Sequence, residues 1–318
     1  MQKPKSNFPT RLIRKQQYQY TLRMVSRKWQ LYVMFFIPFL WVIVFSYVPM
    51  YGVQIAFRDF TVTKGITGSN WVGFKHLNRF ISSYMFNRVV TNTLAISIYQ
   101  LLVGFPMPIL FALLINECRN RRYAKVVQMV SYAPHFITTV VIVAIIIKML
   151  DYHNGVANAL IIAFGGQPVY FLGEAELFRH IYVLSNVWQN IGFNSIIYVA
   201  ALSAIDPALE EAAVIDGANR LHKIWHINIP GIMPTIIIML ILRMGQIMNI
   251  GYEKIYLMQN TINANYSEVI STYVYKLGIQ QTQYSFSTAV NLFNSIINLV
   301  LIVSVNQLAR RLGDTTLW

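Results

Sequence analysis

Long, nearly unbroken apolar stretches alternate along the chain with shorter polar connections. A window of about 19 residues picks out six such stretches. They run from Leu31 to Val48, Val90 to Ile115, Val126 to Leu150, Ile181 to Ala204, Ile232 to Ile250 and Phe286 to Gln307. Each is near or above the ~20 residues that an α-helix needs to cross a bilayer core. Barrel strands run only about 10 residues and alternate apolar with polar, which these stretches do not. The pattern predicts an all-α integral membrane protein with six transmembrane helices. Arg243 falls inside the fifth stretch, beside nine Ile or Leu residues. These supply about −4.5 kcal/mol of insertion energy against about +3 for one central Arg, so the stretch still inserts. The guanidinium is expected to face a partner helix or a wet cavity rather than lipid.

Composition excludes an ordinary soluble enzyme. Of 318 residues, 55% are hydrophobic and 12% charged, about half the charge that a water-exposed surface carries. The net charge is +14, from 26 Lys or Arg against 12 Asp or Glu. Such a surplus fits either a nucleic-acid surface or basic cytoplasmic loops beside a membrane. Sorting by connection separates the two. The N-terminal segment, the second-to-third and fourth-to-fifth connections and the C-terminal tail hold 16 basic residues, and the other three connections hold 8. The density ratio is about threefold, so both termini are expected to be cytoplasmic.

Residues 1–30 carry Lys3, Lys5, Arg11, Arg14, Lys15, Arg23, Arg27 and Lys28 with no acid. The basic part is too long, and the apolar part too long and without a small-residue cleavage site, for a signal peptide. It reads as a basic arm on the anionic inner leaflet, with Trp29 and Tyr32 at the interface. No nucleic-acid-binding motif accompanies the charge. The predicted organisation is an arm over 1–30, a six-helix domain over 31–307 and a tail over 308–318. Cys118, the one cysteine, permits no intrachain disulfide and no multi-cysteine metal site.

The connection from Asp206 to Pro230 is the most informative segment. It reads as two short helices with a break between them. Asp206 is a cap, Pro207 suits the first helical position, and Glu210 and Glu211 lie near the positive dipole end. Ala212 and Ala213 leave a low-relief face that a partner can approach. Gly217 allows a left-handed break, Asn219 caps the second helix, and Pro230 with Pro234 marks re-entry into lipid.

This segment resembles the EAA motif of permease subunits in binding-protein-dependent ABC importers: Glu211-Ala212-Ala213, then Gly217, Ile227 and Ile229-Pro230 in register, with Ile229 in place of the usual Leu. Asp216-Gly217-Ala218 and Pro234 match its sugar-importer version. Further stretches are similar to the complex-sugar, LplB-type branch: Tyr47 to Gly52, Ser69 to Phe74, Ala133 to Phe136, Gln283 to Phe286 and the ending Leu312 to Trp318. The resemblance implies a type I ABC importer permease fold in a bacterial cytoplasmic membrane. It also implies that loop 206–230 is the coupling element for a separate ATPase, with Glu211, Ala212, Ala213, Asp216, Gly217, Ala218, Ile227 and Pro230 as its residues. The implied partners are two ATPase subunits carrying ATP and Mg, a second permease chain, an extracytoplasmic binding lipoprotein and an oligosaccharide. No phosphate-binding Gly-x-x-x-x-Gly-Lys-Ser/Thr loop occurs in this chain, so it has no cofactor of its own.

Other positions bear on a solute path. Asn186, Asn190 and Asn194 recur every four residues in the fourth stretch, with Trp188 and Gln189 beside them, and Asn291, Asn294 and Asn298 sit in the sixth. Uncharged polar faces of this kind suit a sugar path, and they equally suit hydrogen bonding between helices. Pro134 and His135 predict a kink in the third stretch near a cavity. His222 and His226 have zinc-compatible spacing, but Lys223 between them repels a cation, so loop surface is the better reading. Outside, the connection Tyr51 to Arg88 is too long for a simple turn, and its Trp71, Phe74, His76 and Phe80 can pack into a small cap; this connection and Tyr252 to Tyr284 suit either docking of the binding protein or plain solvated connections. The rival class is a self-sufficient secondary transporter or channel. No Asp or Glu lies deep in any stretch, where a proton- or ion-coupled carrier usually places one. Nor is there a convergent His and carboxylate set for an enzyme.

Overall fold

A computed structural model describes residues 28–312. The basic arm up to residue 27 and the tail from 313 lie outside the described residues. The chain divides into two units, Met1–Gln54 and Ile55–Trp318. In the first, α1 (Trp29–Val42) continues through a π-helical turn, Ile43–Tyr47, into Val48–Met50. Its sequence is apolar on every side, as suits a helix surrounded by lipid or other apolar helices.

The second unit opens with a hairpin, β1 (Arg58–Asp59) antiparallel to β2 (Asn70–Trp71), followed by α2 (Lys75–Ile81). Asp59 ties them together, with Lys75 Nζ at 2.7 Å and His76 Nε2 at 2.9 Å. The Lys75 hydrogen bond holds the Asp59 carboxyl below its ordinary value. Phe57 stacks on Trp71. Phe80 is fully buried against Val89, Met248, Ile270, Phe286 and Val290. The cap read from the sequence is therefore anchored by Phe80, while Trp71 and Phe74 stay largely exposed.

The helices follow as α3 (Tyr84–Tyr99), α4 (Pro106–Asn116), α5 (Arg121–Tyr132), α6 (Thr139–Met149) and α7 (Leu177–Ser203). Then come α8 (Pro207–Ile215), α9 (Arg220–Lys223), α10 (Ile229–Met244), α11 (Tyr252–Met258), α12 (Ile270–Tyr275) and α13 (Tyr284–Leu312). Among the described residues, four helical runs are long and apolar enough to cross a membrane: Trp29–Phe57, Tyr84–Asn116, Arg220–Met244 and Tyr284–Arg311. Two bent pairs, at 104° and 73°, bring the number to six when each is taken as one span.

The first bent pair corrects the expectation of one merely kinked third helix. After α5, a 3₁₀ turn at Ala133–Phe136 leads to Ile137 and Thr138 in extended backbone, and α6 leaves at 104°. Proline withholds a donor, and two extended residues turn what a kink would have preserved into a corner. Elsewhere prolines are absorbed. Pro49, Pro106 and Pro230 each follow a π-helical turn, at Ile43–Tyr47, Gln100–Gly104 and Ile224–Asn228. A proline ring clashes with the carbonyl four residues back. In all three cases that carbonyl lies within the widened turn, so the helix continues.

α7 is central to the second unit. Phe178, Tyr182 and Val183 join Ile96, Ile142 and Ile255 in one cluster, while Tyr198 and Leu202 join Ala112, Leu113 and Ile232 in another. Gly192 lets α7 reach α5: a Cβ there would overlap the backbone carbonyl of Ser131. Small residues allow such backbone approach between membrane helices.

Candidate functional site

Two regions hold the candidate residues. The first is loop 206–230. The Asp206 carboxylate accepts the Ala208 N–H at 2.9 Å, Pro207 begins α8 and Glu210 lies in its first turn. α8 ends in a Schellman turn. The Ala218 N–H donates to Ala213 O at 2.9 Å, the Gly217 N–H donates to Val214 O at 3.1 Å, and Gly217 has φ +78°. Asn219 Oδ1 then accepts the His222 N–H at 2.8 Å and starts α9. Glu211, Ala212, Asp216 and Gly217 are exposed. Ala213, Gly217, Ala218 and Ile227 line a shallow depression with His222 and Lys223, and Pro230 opens α10. No residue of α8 is buried, and Leu209, Val214 and Ile215 are 55%, 61% and 86% exposed.

The second region is a polar cavity between α3, α4, α7 and α10. Two chambers, of about 340 and 310 Å³, share Gln100, Asn186, Asn190 and Arg243. Asn194 lines the first and Gln189 the second. Asn190 Nδ2 donates to Asn186 Oδ1 at 2.8 Å, and its Oδ1 lies 2.9 Å from His135 Nδ1. The imidazole stacks on Phe193 at 3.8 Å. His135 thus orients a lining amide from the corner that follows α5.

The remaining sequence candidates lie elsewhere. Trp188 is half-exposed and lines neither chamber, and Asn291 is exposed and also lines neither. Asn294 and Asn298 are buried and donate to Asn249 Oδ1 at 2.9 and 3.1 Å, while Asn298 Oδ1 takes the Met248 N–H. They join α13 to the turn after α10, the interhelical bonding that competed with a lining role in the sequence.

Two cations complete the cavity. α10 ends at Met244, so Arg243 sits in its last turn rather than mid-span; Gly245 follows and the apolar run to Ile250 continues as non-helical chain. A cation there also complements the helix dipole. Lys254, on α11 outside the candidate spans, is buried, and its Nζ donates to Gln189 Oε1 at 3.3 Å over the Tyr182 ring. Burial pushes its amine down to about 8. Among the described residues neither cation has a carboxylate within 4.0 Å, although Glu253 lines the same chamber. Gln100 and Lys254 escaped the sequence reading. Gln100 carried a signal, as an amide inside an apolar stretch; Lys254 carried none, since its connection folds inward only in three dimensions.

A family model described as "Binding-protein-dependent transport system inner membrane component" matches residues 104–314. The chain is similar to the polygalacturonan/rhamnogalacturonan transport system permease protein YteP of Bacillus subtilis (strain 168), at 41% identity over 92% of this chain and 91% of that one. Similarity to protein LplB of the same organism is 39%, with the same coverage of both chains. Among solved structures, a chain of a bacterial ABC transporter that imports the acidic polysaccharide alginate superposes with TM-score 0.85 at 40% identity, covering 93% of this chain and 100% of that chain. A second structure of a bacterial alginate ABC transporter, in complex with an alginate pentasaccharide-bound periplasmic protein, gives the same TM-score and identity, covering 93% of this chain and 99% of that chain.

Proposed function

Since the chain belongs to the inner membrane component family of binding-protein-dependent transport systems, and is a sugar-importer permease subunit rather than an enzyme, we propose that it forms half of an oligosaccharide pore whose other half is a second permease chain. An ATPase pair, holding ATP and Mg, docks on loop 206–230 at the cytoplasmic face of a bacterial cytoplasmic membrane. An extracytoplasmic binding protein delivers the saccharide. Closure of the ATPase pair on ATP moves α8 as a rigid body. α10 continues directly from that loop, so it tilts and turns the cavity outward; hydrolysis resets it.

The observation that carries this reading is α8 itself. It is capped at both ends and therefore rigid, yet it buries none of its residues and exposes Leu209, Val214 and Ile215. The three lie on different sides of the helix, and large apolar residues exposed around a capped helix are the feature expected of an element that a partner encloses. Co-purification tests it: the ATPase subunits should be retained with the native chain and lost, or left uncoupled, with Glu211→Lys or Gly217→Val while membrane insertion persists. Normal transport-coupled hydrolysis in both variants refutes it, and transport by this chain without any ATPase favours the secondary-carrier class.

The cargo follows from the cavity. Its amides suit sugar hydroxyls, and among the described residues Arg243 and Lys254 face it with no carboxylate within 4.0 Å, an arrangement that favours an anionic ligand. The relatives named for polygalacturonan and alginate support the same choice. The cargo is therefore an oligosaccharide bearing carboxylates. Uptake of a uronate-containing oligosaccharide should exceed that of its carboxyl-reduced counterpart, and Arg243→Gln should narrow the difference. Equal handling of the two by the native importer rules out the anionic assignment.

A further inference from the structure

The loop that α8 belongs to is joined to the helices in two ways. One is covalent, through the π-helical turn Ile224–Asn228 into α10. The other is a pair of side-chain bonds that both end on Glu117, the residue that closes α4. Lys223 Nζ lies 3.6 Å from Glu117 Oε2, with both side chains largely buried, and Asn228 Nδ2 donates to Glu117 Oε1 at 3.2 Å. Asn228 is wholly buried. A carboxylate at the C-terminal end of a helix faces the negative pole of its dipole, so α4 by itself gains nothing from an acid there. The lysine and the amide of the loop give it a reason.

Both helices reached from the loop wall the first chamber. α10 contributes Met239 and Arg243, and the stretch entering α4 contributes Phe105 and Pro108. Ile224 of the loop also rests on the apolar cluster of Ala112 and Leu113. Apolar packing of that kind resists compression, but it offers little directional resistance to separation. A charge-assisted bond and a hydrogen bond do resist it.

We propose that Glu117 is a positioning residue that carries the pull of the coupling loop to α4, so that α4 and α10 move together and the chamber changes shape on two walls instead of one. This rests on the coupling role given to loop 206–230 above. Without Glu117, the ATPase still docks and still moves α10, but α4 lags and the cycle turns over with less saccharide moved.

The test uses the reconstituted importer with its partner permease, ATPase pair and binding protein. Three variants are compared: Glu117→Gln, which keeps an acceptor for Asn228 but loses the charge, Lys223→Met, and the exchange Glu117→Lys with Lys223→Glu. The exchange can be accommodated because Asn228 Oδ1 is buried without a partner and would accept from the introduced ammonium after an amide flip. Glu117→Gln is expected to retain the ATPase pair and binding-protein-stimulated hydrolysis, both single variants to move about 10-fold less saccharide per ATP, and the exchange to recover most of it. An unchanged ratio in both single variants overturns the proposal. So does loss of the ATPase pair in Glu117→Gln, which makes the residue part of the docking surface, or an exchange as defective as the singles. Gly217→Val run alongside separates the levels: if it leaves coupling intact, the loop reading itself has failed, whereas coupling lost there and kept in the Glu117 variants sinks this inference alone.

Discussion

Gly217 allows a graded test of whether loop 206–230 works as a preformed rigid unit. Its φ of +78° completes the Schellman turn that ends α8, and a Cβ placed there meets nothing within 4 Å. Substitution therefore acts through backbone conformation alone. A left-handed residue costs an L-amino acid about 1–2 kcal/mol, least for Asn and most for a β-branched side chain. At about 1.4 kcal/mol per tenfold, Gly217→Ala shifts the equilibrium between formed and open turn by about 5- to 30-fold. Gly217→Asn falls below that range, and Gly217→Val lies at or beyond its upper end. ATPase activity coupled to saccharide uptake, measured in proteoliposomes with matched amounts of inserted protein, should fall in the order Gly, Asn, Ala, Val. Equal activity across the series refutes the rigid-loop argument. Equal loss in Asn, Ala and Val would show that the added side chain blocks docking, since the space this chain leaves open around that Cβ is where a docked partner would lie.

Other outcomes follow from buried contacts. Gly192→Val should sharply lower the yield of folded protein, because its Cβ overlaps a backbone carbonyl that cannot swing aside; normal yield and melting temperature in detergent would contradict the packing of α7 on α5. Asn92 donates to the Asn265 and Glu268 carbonyls at 2.9 Å each and accepts from Arg179 at 2.8 Å. Asn92→Leu should then cost about 2–4 kcal/mol, read as a lowered midpoint of thermal unfolding. Lys254 also sets a pH dependence. Its folded value of about 8 is below the ordinary 10.5, so the amine is charged near neutrality and loses its charge as pH rises through 8. Gln189, Tyr182, Glu253 and Arg243 line the chamber with it. Apparent affinity for a uronate-containing oligosaccharide should weaken between pH 7 and 9 in the native importer and lose that slope in Lys254→Gln. A slope that persists in the variant assigns it to another group.

The loop was legible because each of its devices is local. Asp206 and Asn219 bond to amides two or three residues away, and Gly217 serves the turn it sits in, so spacing along the chain is also spacing in space. The apolar runs were legible for the same reason, and the structure adds the detail that a π-helical turn carries the helix past Pro49, Pro106 and Pro230. The reading weakened where one residue type serves two purposes. Asn186, Asn190 and Asn194 on α7, and Asn294 and Asn298 on α13, look alike in sequence. The first group lines the cavity, while the second is consumed by Asn249, a residue about fifty positions away.

By itself the sequence determined the helical class, the six apolar stretches, the capped and broken helix pair at Asp206 to Pro230 and its resemblance to a coupling loop, because hydropathy, capping and backbone handedness are properties of neighbouring residues. Packing between distant segments puts α5 and α6 at a corner, places Arg243 in the last turn of a helix beside the cavity, turns Lys254 inward, and lets Glu117 hold the loop from more than a hundred positions away. Those are distances between segments remote in sequence, set by which faces pack together, and no local pattern encodes them.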